Sequence, residues 1–121
     1  MPWSLKPPKL KLTEADVIRQ CLDYLQCRGY WVKRNPVGKY RHAVTGNFAE
    51  FGPPGIPDYL AIHAIHPAFF IEFKAPGRKL RPTQVSKFFE LQVGYRLAAV
   101  MVDGLETLID FLRGHEARHS P

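Results

Sequence analysis

The chain has 121 residues, 45% of them apolar and 23% charged, the composition of one globular domain with its own core rather than of a disordered tail. Its formal net charge of +6 points to an acidic partner, of which nucleic acid is the commonest, although charge alone supplies only non-specific attraction. The longest apolar run, Leu97 to Val102, is far too short to cross a bilayer, and the proline-rich start lacks the apolar stretch of a secretory signal. The expectation is a soluble, cytoplasmic protein without a membrane partner.

Residues 1–12 read as a basic extended arm carrying Lys6, Lys9 and Lys11. A solvated tail and a segment that tracks a nucleic-acid backbone both fit it. Thr13 with Asp16 makes a capping-box start, and Val17, Ile18, Cys21, Leu22 and Leu25 then recur at helical spacing. Arg28-Gly29 supplies the stop. Cys21 and Cys27 point to different faces of this helix and read as reduced thiols. Glu14 falls on the line of the apolar stripe. It is either a first-turn acid favoured by the helix dipole or a carboxylate turned inward towards a metal ion or its water.

Tyr30 to Arg34 reads as the first strand. Asn35 to Pro57 then form a connection rich in glycine and proline, long enough to be functional, and a short hairpin of about Lys39 to Glu50 fits within it. Arg34, Lys39 and Arg41 suit phosphate contacts, while Tyr40 and Phe48 suit stacking on a base. Two more strands follow, Asp58 to His63 and Ala68 to Lys74, joined by a turn through His66-Pro67. Alternation puts Glu72 and Lys74 on one face and Ile71 and Phe73 on the other.

If those two strands are neighbours, Asp58, Glu72 and Lys74 converge on one edge of the sheet. Two carboxylates can hold a hard cation such as Mg²⁺, and an amine beside them can act on the water it polarises. That set of groups suits cleavage of a phosphodiester. The competing reading is a structural ion pair between Glu72 and Lys74.

The loop from Ala75 to Arg81 places Arg78, Lys79 and Arg81 at the mouth of this site. Pro82 suits the first position of a helix whose inward stripe is Gln84, Phe88, Leu91 and Tyr95, with Val85 and Phe89 beside it. Gln84 is thus a polar residue at the head of a core-facing stripe. Leu97 to Val102, without alternation, reads as a central strand covered on both faces. Asp103 with Glu106 starts a last helix with Leu105, Leu108, Ile109 and Leu112 inward. Gly114 is expected to end it, and residues 115–121 to fray. The order is α-β-β-β-α-β-α, an α/β fold with a mixed central sheet flanked by helices, in one domain over residues 13–114.

His115-Glu116-Ala117-Arg118-His119 spells H-E-x-x-H, the zinc-peptidase pattern. It sits beyond Gly114, near the end of the chain and without an apolar helical continuation. It therefore reads as a tail whose deletion leaves activity intact. His63 and His66 read as turn residues.

Gly55-Ile56-Pro57-Asp58, then Ile71-Glu72-Phe73-Lys74, then Gln84, resembles the PD-(D/E)XK nuclease superfamily and, within it, the stand-alone phage and bacterial form of the VRR-NUC family. Glu14 and Arg34-Asn35 with Gly38 fit the same pattern, and the match spans roughly residues 13–103. The resemblance implies a restriction-endonuclease-like core and a Mg²⁺- or Mn²⁺-dependent DNA endonuclease. It further implies a homodimer that resolves four-way (Holliday) junctions in a bacterial or phage-infected cell; larger relatives are repair nucleases acting on flaps.

It implies Asp58, Glu72 and the Phe73 carbonyl as metal ligands, with Glu14 completing the acidic cluster directly or through water. Lys74 would orient or deprotonate the attacking water, and Gln84 would position Lys74 or a metal-bound water. The rival expectation is a DNA-binding module with an inactive site, which binds without metal and never cuts.

Overall fold

The computed structural model describes residues 11–35 and 55–118 with their side chains, and the backbones of 38–41 and 48–51. The arm before Lys11 and the chain beyond Arg118 lie outside the described residues. Helix α1 (Glu14–Cys27) starts as its sequence dictates: the Thr13 hydroxyl accepts from the Asp16 N–H at 3.2 Å, and the Asp16 carboxylate accepts from the Thr13 N–H at 2.9 Å. Gly29, at φ +87°, takes the left-handed conformation that lets the chain leave the helix.

Strand β1 (Trp31–Arg34) pairs antiparallel with β4 (Tyr59–Ile62), and β4 pairs antiparallel with β5 (Phe69–Phe73). β5 runs parallel to β6 (Ala98–Val102), which completes a mixed sheet of order β1-β4-β5-β6. Between β1 and β4, β2 (Gly38–Arg41) and β3 (Phe48–Phe51) form a separate antiparallel pair, the hairpin expected within the long connection. Helix α2 (Pro82–Phe89) and a π-helical turn (Glu90–Gly94) make the crossover to β6, and α3 (Leu105–Arg118) follows. The fold is α/β, with a four-stranded mixed sheet and three α-helices among the described residues. No helix among the described residues is long and apolar enough to cross a membrane.

The core joins Val17, Cys21 and Leu25 of α1 to Phe69, Ile71 and Phe73 of β5, Val102 of β6, and Leu108 and Leu112 of α3. Burial pushes the Cys21 thiol up to about 11, so it serves as a packing group rather than a nucleophile. Cys27 is exposed, and neither cysteine is in a disulfide.

Three expectations are corrected. β6 is an edge strand, and the central place belongs to β5, buried at four of its five positions. An unbroken apolar run reports helical cover, and β6 packs against both α3 and the π-helical turn; it does not report how many strands flank it. In α2, Gln84, Phe88 and Leu91 face inward, but Tyr95 is exposed, because the wider π turn carries it out of the α-helical register.

The third correction is α3, which does not stop at Gly114. Leu108, Leu112 and His115 continue one buried stripe at helical spacing, and His115 is only 4% exposed. Its Nε2 donates to the Pro67 carbonyl at 2.7 Å, and the Phe69 and Phe111 rings lie against it, each centred 5.1 Å away. Glu116 accepts from Arg28 at 2.6 Å and from the Tyr30 hydroxyl at 3.3 Å, with His66 Nε2 at 3.4 Å. The last turn of α3 is therefore fastened to the end of α1 and to the β4–β5 turn. In that turn His63 Nδ1 accepts the N–H groups of Ile65 and His66, a turn role as expected. At the start of α3, Asp103 accepts from the Thr107 hydroxyl at 2.9 Å rather than pairing with Glu106.

Truncation after Gly114 is accordingly expected to destabilise the protein by about 2–4 kcal/mol, from lost packing and a lost charge-assisted hydrogen bond. Urea unfolding measures it, and a midpoint equal to that of the full chain would contradict the fastening.

Candidate metal-dependent active site

Asp58, Glu72 and Lys74 meet because of strand register. β4 and β5 pair Tyr59 with Ile71, so Asp58, one residue before β4, falls opposite Glu72. Lys74 follows directly, with Nζ 3.7 Å from Glu72 Oε2. Its backbone N–H donates to the Val102 carbonyl on β6 at 2.9 Å. Because that peptide is trans and planar, the Phe73 carbonyl points the other way, to the side of β4 and Asp58.

Glu72 is 3% exposed, and its Oε1 is buried with no hydrogen-bond partner among the described residues. Burial pushes its carboxyl above the ordinary value of 4.5, and the Asp58 charge pushes it further. The Lys74 ammonium and the Asp58 N–H act the other way, and the Glu14 charge adds a last upward contribution. An ionised carboxylate with an unsatisfied oxygen beside a second acid is costly. A cation placed between them reverses that cost. Among the described residues no three His, Cys, Asp or Glu side chains converge as a ready ligand group; Asp58 and Glu72 are the two carboxylates that strand register sets opposite each other, and they could hold a cation. Two carboxylates suit Mg²⁺, which keeps several of its waters and takes few protein ligands.

Glu14 is exposed in the first turn of α1, not turned into the core; the buried stripe begins at Val17. Its charge still reaches Glu72, which puts it at the rim. Gln84 is buried, and its Oε1 accepts the Arg81 N–H at 2.8 Å, capping α2. Arg34, at the end of β1 beside Tyr59, is exposed, as are Arg78, Lys79 and Arg81 in the loop leaving β5. Lys39 and Arg41 lie on β2, with side chains outside the described residues.

Two further residues of the resemblance, Asn35 and Gly55, shape the site through the backbone that carries Asp58. The Asn35 backbone N–H donates to the Asp58 carbonyl at 2.6 Å, and its Nδ2 donates to the Pro57 carbonyl at 3.1 Å. Gly55 has φ +80°, and a Cβ there would fall on the Thr83 carbonyl and lie 3.2 Å from Gln84 N. The Asp58 turn is thus seated between the end of β1 and the start of α2. The glycine is visible in the sequence, but the need for it depends on where α2 packs.

The H-E-x-x-H string lies at the opposite end of the sheet, near the start of β5, with His115 on Pro67 and Glu116 on Arg28; His119 is outside the described residues. A comparison with protein-family models finds no match, and one with curated proteins finds no relative.

The raised Glu72 carboxyl carries a stability prediction. With its folded-state value above 4.5, its ionisation opposes folding, so its contribution is best below the unfolded value and is lost as pH rises through the folded one. Glu72→Gln should therefore raise the melting temperature of metal-free protein near neutral pH, a gain on the order of 1 kcal/mol. The gain should shrink as pH falls towards 4.5. A variant that melts below the parent at neutral pH would contradict this.

Proposed function

We propose that this chain is a metal-dependent DNA endonuclease of the PD-(D/E)XK type, as its resemblance to the VRR-NUC family implies, cutting branched DNA and foremost four-way junctions. The observation that carries the reading is Glu72: buried, with one oxygen unpaired, opposite Asp58 and beside Lys74. Asp58, Glu72 and the Phe73 carbonyl would hold the ion. Mg²⁺ or Mn²⁺, when bound, supplies charge stabilisation on phosphate and a more acidic water.

Lys74 orients the attacking water and balances the negative charge that grows on phosphorus-bound oxygen. Glu14, at the rim, would complete the acidic cluster, directly or through water. Gln84 keeps the start of α2 at the mouth of the site. Arg34, Arg78, Lys79 and Arg81 lie at this end of the sheet and grip the DNA backbone, with Lys39 and Arg41 adding charge. Such contacts position DNA without reading bases. An enzyme of this kind works in the cytoplasm of a bacterial or phage-infected cell.

Paired cuts across a junction require two sites, and the outer face of α2 supports a homodimer. Val85, Phe89 and Val93 recur at four-residue spacing, each more than half exposed, and exposed Tyr95 and Leu97 follow. Antiparallel packing about Phe89 would set Phe89 on its own copy, as an isologous interface allows.

Lys74→Ala should slow junction cleavage by about a hundredfold or more while anisotropy shows DNA affinity changed only a few-fold; cleavage at the parent rate would remove Lys74 from the chemistry. Cutting confined to flaps or ends would keep that chemistry and move the protein to repair processing. Phe89→Glu should convert the dimer to a monomer by light scattering. A parent protein that is already monomeric would sink the dimer.

A further inference from the structure

We infer that Asn35 is a positioning residue for the metal site: its side-chain amide holds the turn that carries Asp58 where that carboxylate meets Glu72. The inference rests on the metal-nuclease reading above and adds to it a residue that acts through Asp58 rather than on substrate.

Asp58 is not a strand residue. It precedes β4, and the β1–β4 ladder ends at Arg34 paired with Tyr59, so regular pairing stops one step short of the ligand. Asn35 extends the hold by two bonds from one residue. Its N–H takes the Asp58 carbonyl at 2.6 Å, and its Nδ2 takes the Pro57 carbonyl at 3.1 Å. Pro57 is fully buried and brings no N–H of its own, so without the amide its carbonyl loses that donor inside the protein.

From the other side Gly55 rests directly on the Thr83 backbone, with no room for a side chain. The turn is thus pinned at both ends, by a close backbone contact at Gly55 and by the Asn35 amide at Pro57. The residue type also fits. The task requires a short donor without charge, because an acid at 35 would offer no donor and would add to the repulsion among Asp58, Glu72 and Glu14, while a long cation would reach past the turn to the carboxylates.

Residues that orient metal ligands from the outer shell typically govern affinity or activity by about 10–100-fold. Calorimetric titration of Mn²⁺ into metal-free protein is therefore expected to show binding about tenfold weaker in Asn35→Ala than in the parent. The Mn²⁺ concentration for half-maximal junction cleavage should rise in parallel, with most of the rate recovered at saturating Mn²⁺. Asn35→Gln, which keeps a donor amide one methylene further out, should recover part of the affinity. A merely structural role would lower the melting temperature in EDTA and leave the Mn²⁺ midpoint in place.

Equal Mn²⁺ affinity in Asn35→Ala and a parent that binds and cuts would overturn the inference alone. Loss of fold in both variants would also overturn it, making Asn35 a determinant of folding only. A parent that neither binds Mn²⁺ nor cuts would remove the nuclease reading and this inference with it.

Discussion

Glu72 sits on the most buried strand of the sheet with one carboxylate oxygen unpaired, and much of the surrounding architecture bears on that carboxylate. β5 is central because β4 and β6 flank it on either side. Those neighbours bring Asp58 opposite the acid and anchor the backbone of Lys74. A lone buried carboxylate of this kind would normally be replaced by an apolar residue or given hydrogen-bond donors. Here it receives a second acid, the Asp58 N–H and a loosely placed ammonium at 3.7 Å, and Oε1 stays unpaired. Burial beside a second acid opposes ionisation of Glu72 in the folded chain, and a divalent cation held there would offset that cost, the trade expected where local stability yields to function.

The two ends of the sheet divide the work. At the end where β5 finishes, acids, Lys74 and the exposed Arg78, Lys79 and Arg81 gather around the start of α2. At the end where β5 begins, Arg28, Tyr30, His66, His115 and Glu116 close a polar network over Phe69 and Phe111. Those groups are committed to holding α3 and α1 together. The under-satisfied carboxylate is thereby separated by the length of a strand from the network that fastens the helices.

The sequence exposes most of this where physics acts locally. The Thr13–Asp16 cap, the Gly29 stop, Pro82 at the start of α2 and the Glu72–Lys74 face all follow from side-chain chemistry and spacing. What is not legible depends on distant packing. The edge position of β6 is hidden because its helical cover gives it the composition of a central strand. The helical extension through His115 and Glu116 is hidden because polar residues occupy the apolar register, and their partners, Pro67 and Arg28, come from elsewhere in the chain. Glu14 lies on the stripe by spacing but sits in the first turn, before burial begins at Val17. Asn35 and Gly55 are legible as part of the resemblance, but what each does depends on how β1 and α2 meet the Asp58 turn.

The most direct test of the account is incubation of the purified chain with an end-labelled four-way junction in Mg²⁺ or Mn²⁺, and in EDTA. Metal-dependent cuts at paired positions and intact DNA in EDTA are expected. Cutting that persists in EDTA would contradict it, and so would a folded protein that binds the junction but leaves it, flaps and duplex intact with either metal.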